Sequence, residues 1–331
     1  MLLLPLCVAA QPRDNAQWKL DGALKTKFEW GLNSGDVRFN LRNSRIGLSG
    51  NLSQYAAYRV QVELSNEGKF DILDGFITLN LLENGGIRLG QSSVPFENSY
   101  IITPSQSLFA NRAFVGKFFT AGSRDIGAVA YYNTGGAFPF LLEGGVFNGG
   151  KINNPQWTKR PSLALRLTMG SLEHFRASVK AYRYANEANN PDEEKDWLFW
   201  GADVSYRKKD YLLQAEVMNR YDYNASRPAD KNFTGAYLQS AYIFHYPCLK
   251  LFHSITPAVR WDAMTYGLMR SGVDVHRVTA GLAFGLTDKP FDSCLRIDFE
   301  HYFVRSESRE LAGSEDHVSD NKLTLELLLV F

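Results

Sequence analysis

Long apolar runs are missing from this chain of 331 residues. A membrane-spanning helix needs about 20 predominantly apolar residues, and Lys, Arg, Asp or Glu interrupts every candidate window beyond the N-terminus. Helical membrane spans are therefore excluded. An excess of one charge is also missing: Lys+Arg 36 against Asp+Glu 35 leaves a formal net charge of +1. No global basic surplus points to nucleic acid as a partner, so any charge-based function must be local. The six histidines, His174, His245, His253, His276, His301 and His317, show neither H-E-x-x-H nor the Cys/His spacing of a zinc site. No G-x-S-x-G elbow or phosphate-cradling P-loop is present. The reading is a protein without metal or cofactor and not an enzyme. A barrel hydrolase with Ser, His and acid side chains on its wall is a minor alternative.

Cysteine is scarce, with three in the chain. Cys7 falls in the one apolar run, Leu2 to Ala10, which ends in Val8-Ala9-Ala10 before Gln11. This reads as the apolar region and small-residue cleavage site of a secretory signal, without a basic leader; a plain apolar tail is the other reading. Leu6 before Cys7 makes a poor lipoprotein attachment site. Residues 1–10 are accordingly taken as a signal remnant and 11–331 as one mature domain. The mature chain keeps Cys248 and Cys294. They form either one disulfide or two thiols, and both readings stay open.

What the chain does have is alternation at period two, the mark of strands that face two different environments. Trp18, Leu20, Gly22, Leu24, Thr26, Phe28 and Trp30 occupy one face, against Lys19, Asp21, Ala23, Lys25, Lys27 and Glu29 on the other. The pattern returns in Tyr58 to Leu64, Pro161 to Met169, Leu198 to Tyr206 and Val278 to Leu286. It ends with Leu323, Leu325, Leu327, Leu329 and Phe331 on a single face. About sixteen such segments reach the ~9 to 11 residues that a tilted membrane strand requires. Aromatics near segment ends, including Trp18, Trp30, Trp197, Trp200, Tyr221, Tyr223 and Trp261, fit interfacial girdles. Each could equally be an ordinary packed ring.

Connection lengths supply an independent argument. Short turns at Glu83 to Gly86, Gly170 to Glu173, Arg207 to Asp210, Tyr246 to Leu249 and Thr287 to Pro290 alternate with long polar stretches. Those stretches include Asn148 to Lys159, Ala185 to Asp196, Asp222 to Lys231, Met264 to Asp274 and Ser306 to Ser319. Outer-membrane barrels segregate loop lengths in this way and β-sandwiches do not. The fold class expected is all-β, a transmembrane antiparallel β-barrel of about sixteen strands. Such a barrel closes on itself because hydrocarbon cannot satisfy an open sheet edge. The longest connection, 94–124, carries Phe109, Phe114, Val115, Phe118 and Phe119 together with Arg112, Lys117 and Arg124. Its apolar groups must be buried, and the lumen wall is the nearest place. It is expected to fold inward and narrow the pore.

Several ordered stretches resemble the phosphate-selective porin O and P family of Gram-negative outer membranes. They are Arg42-Asn43-Ser44-Arg45-Ile46-Gly47-Leu48, Leu89-Gly90-Gln91, Pro95-Phe96-Glu97, Asn111-Arg112 and Ser123-Arg124-Asp125-Ile126-Gly127. Val146-Phe147-Asn148-Gly149, Gly235-Ala236-Tyr237-Leu238-Gln239, Pro257-Ala258-Val259-Arg260-Trp261-Asp262 and the end Leu325 to Phe331 follow. The resemblance spans nearly the whole mature chain. It implies a homotrimer in outer-membrane lipid, a loop after the fifth strand that constricts the lumen, and selection of anions such as phosphate by arginines and a few lysines. It does not assign the positions of that cationic ladder. The aromatic terminus at Phe331 is similar to the signal read by the barrel-assembly machinery.

Face parity places Lys25, Lys27, Arg38, Arg42, Arg59, Arg88 and Arg260 on the lumen side, with Arg112, Lys117 and Arg124 on the long connection. These are the candidate pore-lining, anion-binding residues. Arg166, Arg176, Lys180, Arg277 and Arg296 share the inward parity. Arginine suits phosphate because its planar fork donates two hydrogen bonds at once. Inward acids, among them Asp21, Glu29, Glu63, Asp203, Glu216, Asp262, Asp298 and Glu300, offer the competing role of cross-strand pairing. A one-residue bulge between Asn43 and Gly47 would invert parity locally. Acidic loop stretches Asp192-Glu193-Glu194 and Glu315-Asp316 are either solvated or bridge divalent cations to lipid phosphates. The function expected is passive diffusion of small anionic or polar solutes, with a plugged structural or adhesion barrel as the alternative.

Overall fold

The computed structural model describes residues 18–66, 69–96, 98, 107–119, 121–186, 194–226, 231–246, 251–266, 275–304 and 320–331. The expected signal at 1–10, Cys248, Asp192-Glu193 and Glu315-Asp316 lie outside them. Cys294, the candidate partner of Cys248, is a buried free thiol.

The alternating segments form sixteen antiparallel strands among the described residues. They are β1 (Trp18–Gly31), β2 (Val37–Ser53), β3 (Ala56–Asn66), β4 (Lys69–Leu82), β5 (Gly85–Ser93), β6 (Arg124–Asn133), β7 (Phe140–Phe147) and β8 (Ser162–Gly170). Then come β9 (Phe175–Asn186), β10 (Lys195–Lys208), β11 (Tyr211–Asp222), β12 (Asn232–Tyr242), β13 (Ser254–Tyr266), β14 (Val275–Gly285), β15 (Cys294–Val304) and β16 (Lys322–Val330). Past a break at Ile243, β12 resumes as Phe244–His245, which still pairs with β13. One short helix, α1 (Phe114–Phe118), lies in the connection after β5.

Each strand pairs with its sequence neighbours, and β1 pairs with both β2 and β16, so the sheet has no free edge. The terminal Phe331 completes the seam, exchanging two backbone hydrogen bonds with Gly22 at 2.9 and 3.1 Å. The turns after even-numbered strands are short, as at Leu82 to Gly85 and Lys208 to Tyr211, and place both termini at the short-turn end. The long connections follow odd-numbered strands from β5 onward. The first two hairpins, β1–β2 and β3–β4, are tight at both ends.

Period-two burial follows the sequence pattern. Outward residues such as Phe39, Leu163, Leu238 and Val259 are exposed, while inward Arg166, Asp203, Gln214 and Glu326 are buried. This inverts the arrangement of a water-soluble sheet protein, where apolar groups face inward. Asn43 takes a left-handed φ of 57°, and the β2–β3 register shifts on either side of Ser44. The bulge reverses parity along β2, so Arg38 and Arg42 point inward before it and Arg45 after it.

One aromatic assignment changes. Trp197 does not belong to a girdle; it packs against the cluster inside the lumen, with ring centroids 5.7 Å from Tyr184 and 5.8 Å from Phe199. Its parity matches Phe199 and Asp203, whereas Trp200, of the opposite parity, is outward and exposed.

Candidate functional site

The long connection enters the barrel and packs on one side of it. Val94, Phe96, Phe114, Val115 and Phe119 join inward Tyr182, Phe199, Met218 and Phe233 in one buried cluster. Leu108 and Phe109 pack with Ala241 in a second. Two wall glycines make room. A Cβ at Gly235 would lie 2.5 Å from the Phe119 ring, which stacks on Phe233 at 4.5 Å, and one at Gly281 would lie 2.9 Å from Phe109. Without side chains there, the wall recesses to seat both rings, and the apolar residues that made this connection unusual in the sequence are thereby removed from water.

Charged wall residues then hold the inserted segment at two places. At its entry, Asn98 donates to Glu216 (2.9 Å) and Tyr237 (3.0 Å), and its side-chain oxygen accepts from Arg166 (3.3 Å) and Arg176 (3.2 Å). Behind it Asp203 accepts from Arg166 at 3.2 Å, Arg176 at 2.5 Å and Lys180 at 3.0 Å. Lys180 also pairs with Glu216. At its tip, Ala110 and Phe114 donate backbone amides to Asp298 (2.6 Å) and Asp262 (2.9 Å). Lys27 donates to the Ala110 carbonyl at 2.6 Å and to the Asn111 side chain at 2.8 Å. Buried charges of this kind are tolerable because nearly all of them have opposite partners within hydrogen-bond reach.

Between the tip and the β1–β2 wall lies a cavity of about 210 Å³. Lys25, Lys27, Arg38, Arg42, Arg112, Lys117, Arg277 and Lys322 line it, against Glu29 and Glu300 as the carboxylates among the described residues. Adding Asp262 and Glu326, which touch these cations from behind, still leaves eight cations facing four acids. In a confined space bounded by low-dielectric walls such a surplus concentrates anions and repels cations.

The ten residues singled out from the sequence divide as follows. Six border this cavity: Lys25, Lys27, Arg38, Arg42, Arg112 and Lys117. Lys25 pairs with Glu326 at 2.9 Å and Arg38 with Glu29 at 2.6 Å. Arg260 is buried behind the tip, and its Nη1 donates to the Asn111 carbonyl at 2.9 Å. Arg59, on β3 and outside the cavity lining, is bound to Asp21 of β1 at 2.9 and 3.0 Å. Arg124 opens β6 and donates to Asp74 at 2.7 Å. Arg88 lies over the Phe76 ring at 4.9 Å. Lys322 escaped notice, although the alternation of its segment already placed it opposite Leu323. Arg45 was hidden by the Asn43 bulge, and it meets Glu63 at 3.4 Å.

No protein-family model matches the chain, and no curated protein matches it. Solved structures do. OmpF of Salmonella typhi, in complex with daunomycin, is 11% identical with a TM-score of 0.65, covering 96% of this chain and 98% of that one. An anion-selective porin from Comamonas acidovorans is 13% identical with a TM-score of 0.63, over 96% and 100%. The outer membrane channel DcaP of Acinetobacter baumannii is 13% identical with a TM-score of 0.60, over 97% and 99%. At such identities the likeness establishes the fold, which is the closed sixteen-stranded barrel of Gram-negative porins.

Proposed function

We propose that this chain is a passive channel of the Gram-negative outer membrane that admits small polar solutes and favours anions, phosphate among them. The observation that carries the reading is the cavity beside the inserted tip: with Arg277 set aside together with its partners Asp262 and Glu300, seven cations remain against Glu29 and Glu326. The membrane location follows from physics: large apolar side chains such as Phe39, Leu165 and Val259 cover the outside of a closed sheet, where water would disfavour them and hydrocarbon would not. No chemistry is required of such a channel. A homotrimer is part of the proposal, because OmpT of Vibrio cholerae, a similar barrel, is described in a trimer form. So is recognition of the Leu325 to Phe331 segment by the barrel-assembly machinery.

The apolar filling of one side of the lumen favours a second reading, a plugged barrel with a structural or adhesive role. Planar-bilayer recording separates the two. The channel reading expects steady unitary steps in potassium chloride, with chloride current reduced by added phosphate in proportion to its occupancy of the cavity. Silent bilayers from folded protein would support the plug. Open channels indifferent to phosphate would remove phosphate from the proposal and leave a general anion pore.

A further inference from the structure

We infer that Arg260 and Arg277 are positioning residues that hold the inserted tip by its main chain, and that their charges do not serve the solute. The two make the same arrangement twice. Arg260 lies 4.6 Å from the centre of the Phe109 ring and donates to the carbonyl of Asn111, two residues on, at 2.9 Å. Arg277 lies 4.6 Å from the centre of the Phe114 ring and donates to the carbonyl of Arg112, two residues back, at 2.7 Å. Lys27 takes the carbonyl of Ala110, just before that of Asn111. Three consecutive carbonyls thus each accept from a different wall cation.

Guanidinium suits this task because its flat face rests on a ring while its edge still donates several hydrogen bonds, a combination an ammonium cannot supply. Both arginine side chains are almost wholly buried, at 2% and 4% exposure, whereas Arg38 on the β2 wall is 39% exposed. Asp262 accepts two bonds from Arg277 at 2.6 and 2.9 Å, and Glu300 a third at 3.0 Å. Their carboxylates cancel most of the field these arginines would send into the cavity. A backbone carbonyl accepts whatever side chain it carries. These three hydrogen bonds therefore do not depend on the side chains of Arg112 and Lys117, which line the cavity.

The test reads loop position separately from conduction. The side chains of Asn111 and Thr324 touch at 3.3 Å, so the pair Asn111→Cys and Thr324→Cys reports the seated tip by its disulfide yield. The native cysteines are present in every variant as a constant background. Adding Arg260→Met or Arg277→Met should lower the yield severalfold, with Arg277→Lys recovering only part of it, while Arg112→Gln leaves the yield unchanged. In bilayers the methionine variants should flicker among sublevels, and closing the disulfide should restore the steady parental level. Unchanged yield and steady current with diminished anion preference would overturn the inference and make both arginines solute contacts. This electrical arm rests on the channel reading. Absence of current from the parent protein would contradict that reading alone, because the cross-linking yield remains interpretable without conduction.

Discussion

The two sides of the lumen are built from the same residue types and behave differently. On β8 to β16 many inward charges are sealed: Arg166, Asp203 and Arg296 have fully buried side chains, and Phe96 and Asn98 of the inserted connection lie against Arg166. On β2 and β3 two arginines stay partly wet, Arg38 at 39% and Arg59 at 25% exposure. Near the entry of the inserted segment, Arg166, Arg176 and Lys180 are balanced by Asp203, Glu216 and Glu143, three against three, whereas cations dominate the cavity beside the tip. The difference teaches that lumen-facing charge has two uses. Where a loop fills the space, charge is structural and must be matched; where water remains, it can be left in excess.

The sharpest way to break this comparison is to remove a matched acid from the filled side. Asp262→Ala would leave Arg277 with Glu300 as its one remaining carboxylate among the described residues and take the acceptor of the Phe114 amide, and should cost about 3 kcal/mol, the lower end of the penalty for breaking a buried pair. Thermal unfolding in detergent, followed by gel mobility, checks this. Phe119→Ala, which empties the stack on Phe233, should cost about 3 kcal/mol, with current noise rising as the entry of the loop loosens. Gly281→Ala should cost about 1–3 kcal/mol by crowding both Phe109 and the Asp298 carboxylate that holds the Ala110 amide. On the open side the effects should be electrical. The double substitution Arg112→Ala and Lys117→Ala should leave stability within about 0.5 kcal/mol and bring the reversal potential in a salt gradient measurably closer to zero. Smallest of all, Asp21→Ala, which removes an accessible partner of Arg59, should cost about 1 kcal/mol or less.

Much of this division was legible in the sequence, for a physical reason. Alternation at period two is a local property, so the inward position of Lys25, Lys27, Arg42 and Arg260 could be read from their neighbours. The apolar content of 94–124 likewise demanded a place out of water, and the lumen supplies it. Pairing was not legible. Lys25 meets Glu326 across the closing seam, and Arg260 meets Asn111 through a backbone carbonyl that every residue carries. Which arginine is buried against the loop and which lines the cavity is decided by those long-range contacts. The Asn43 bulge was foreseeable as a place, but its effect of turning Arg45 inward depended on where the register shifts.

The central claim, that a cationic gap survives beside a neutralised plug, is tested most directly by reversal potential across a potassium chloride gradient. The unsubstituted protein should show an anion-leaning potential, and Arg112→Glu with Lys117→Glu should move it toward or past zero without loss of unitary current. A cation-leaning parent channel, or a potential unmoved by that reversal of charge, would contradict the account.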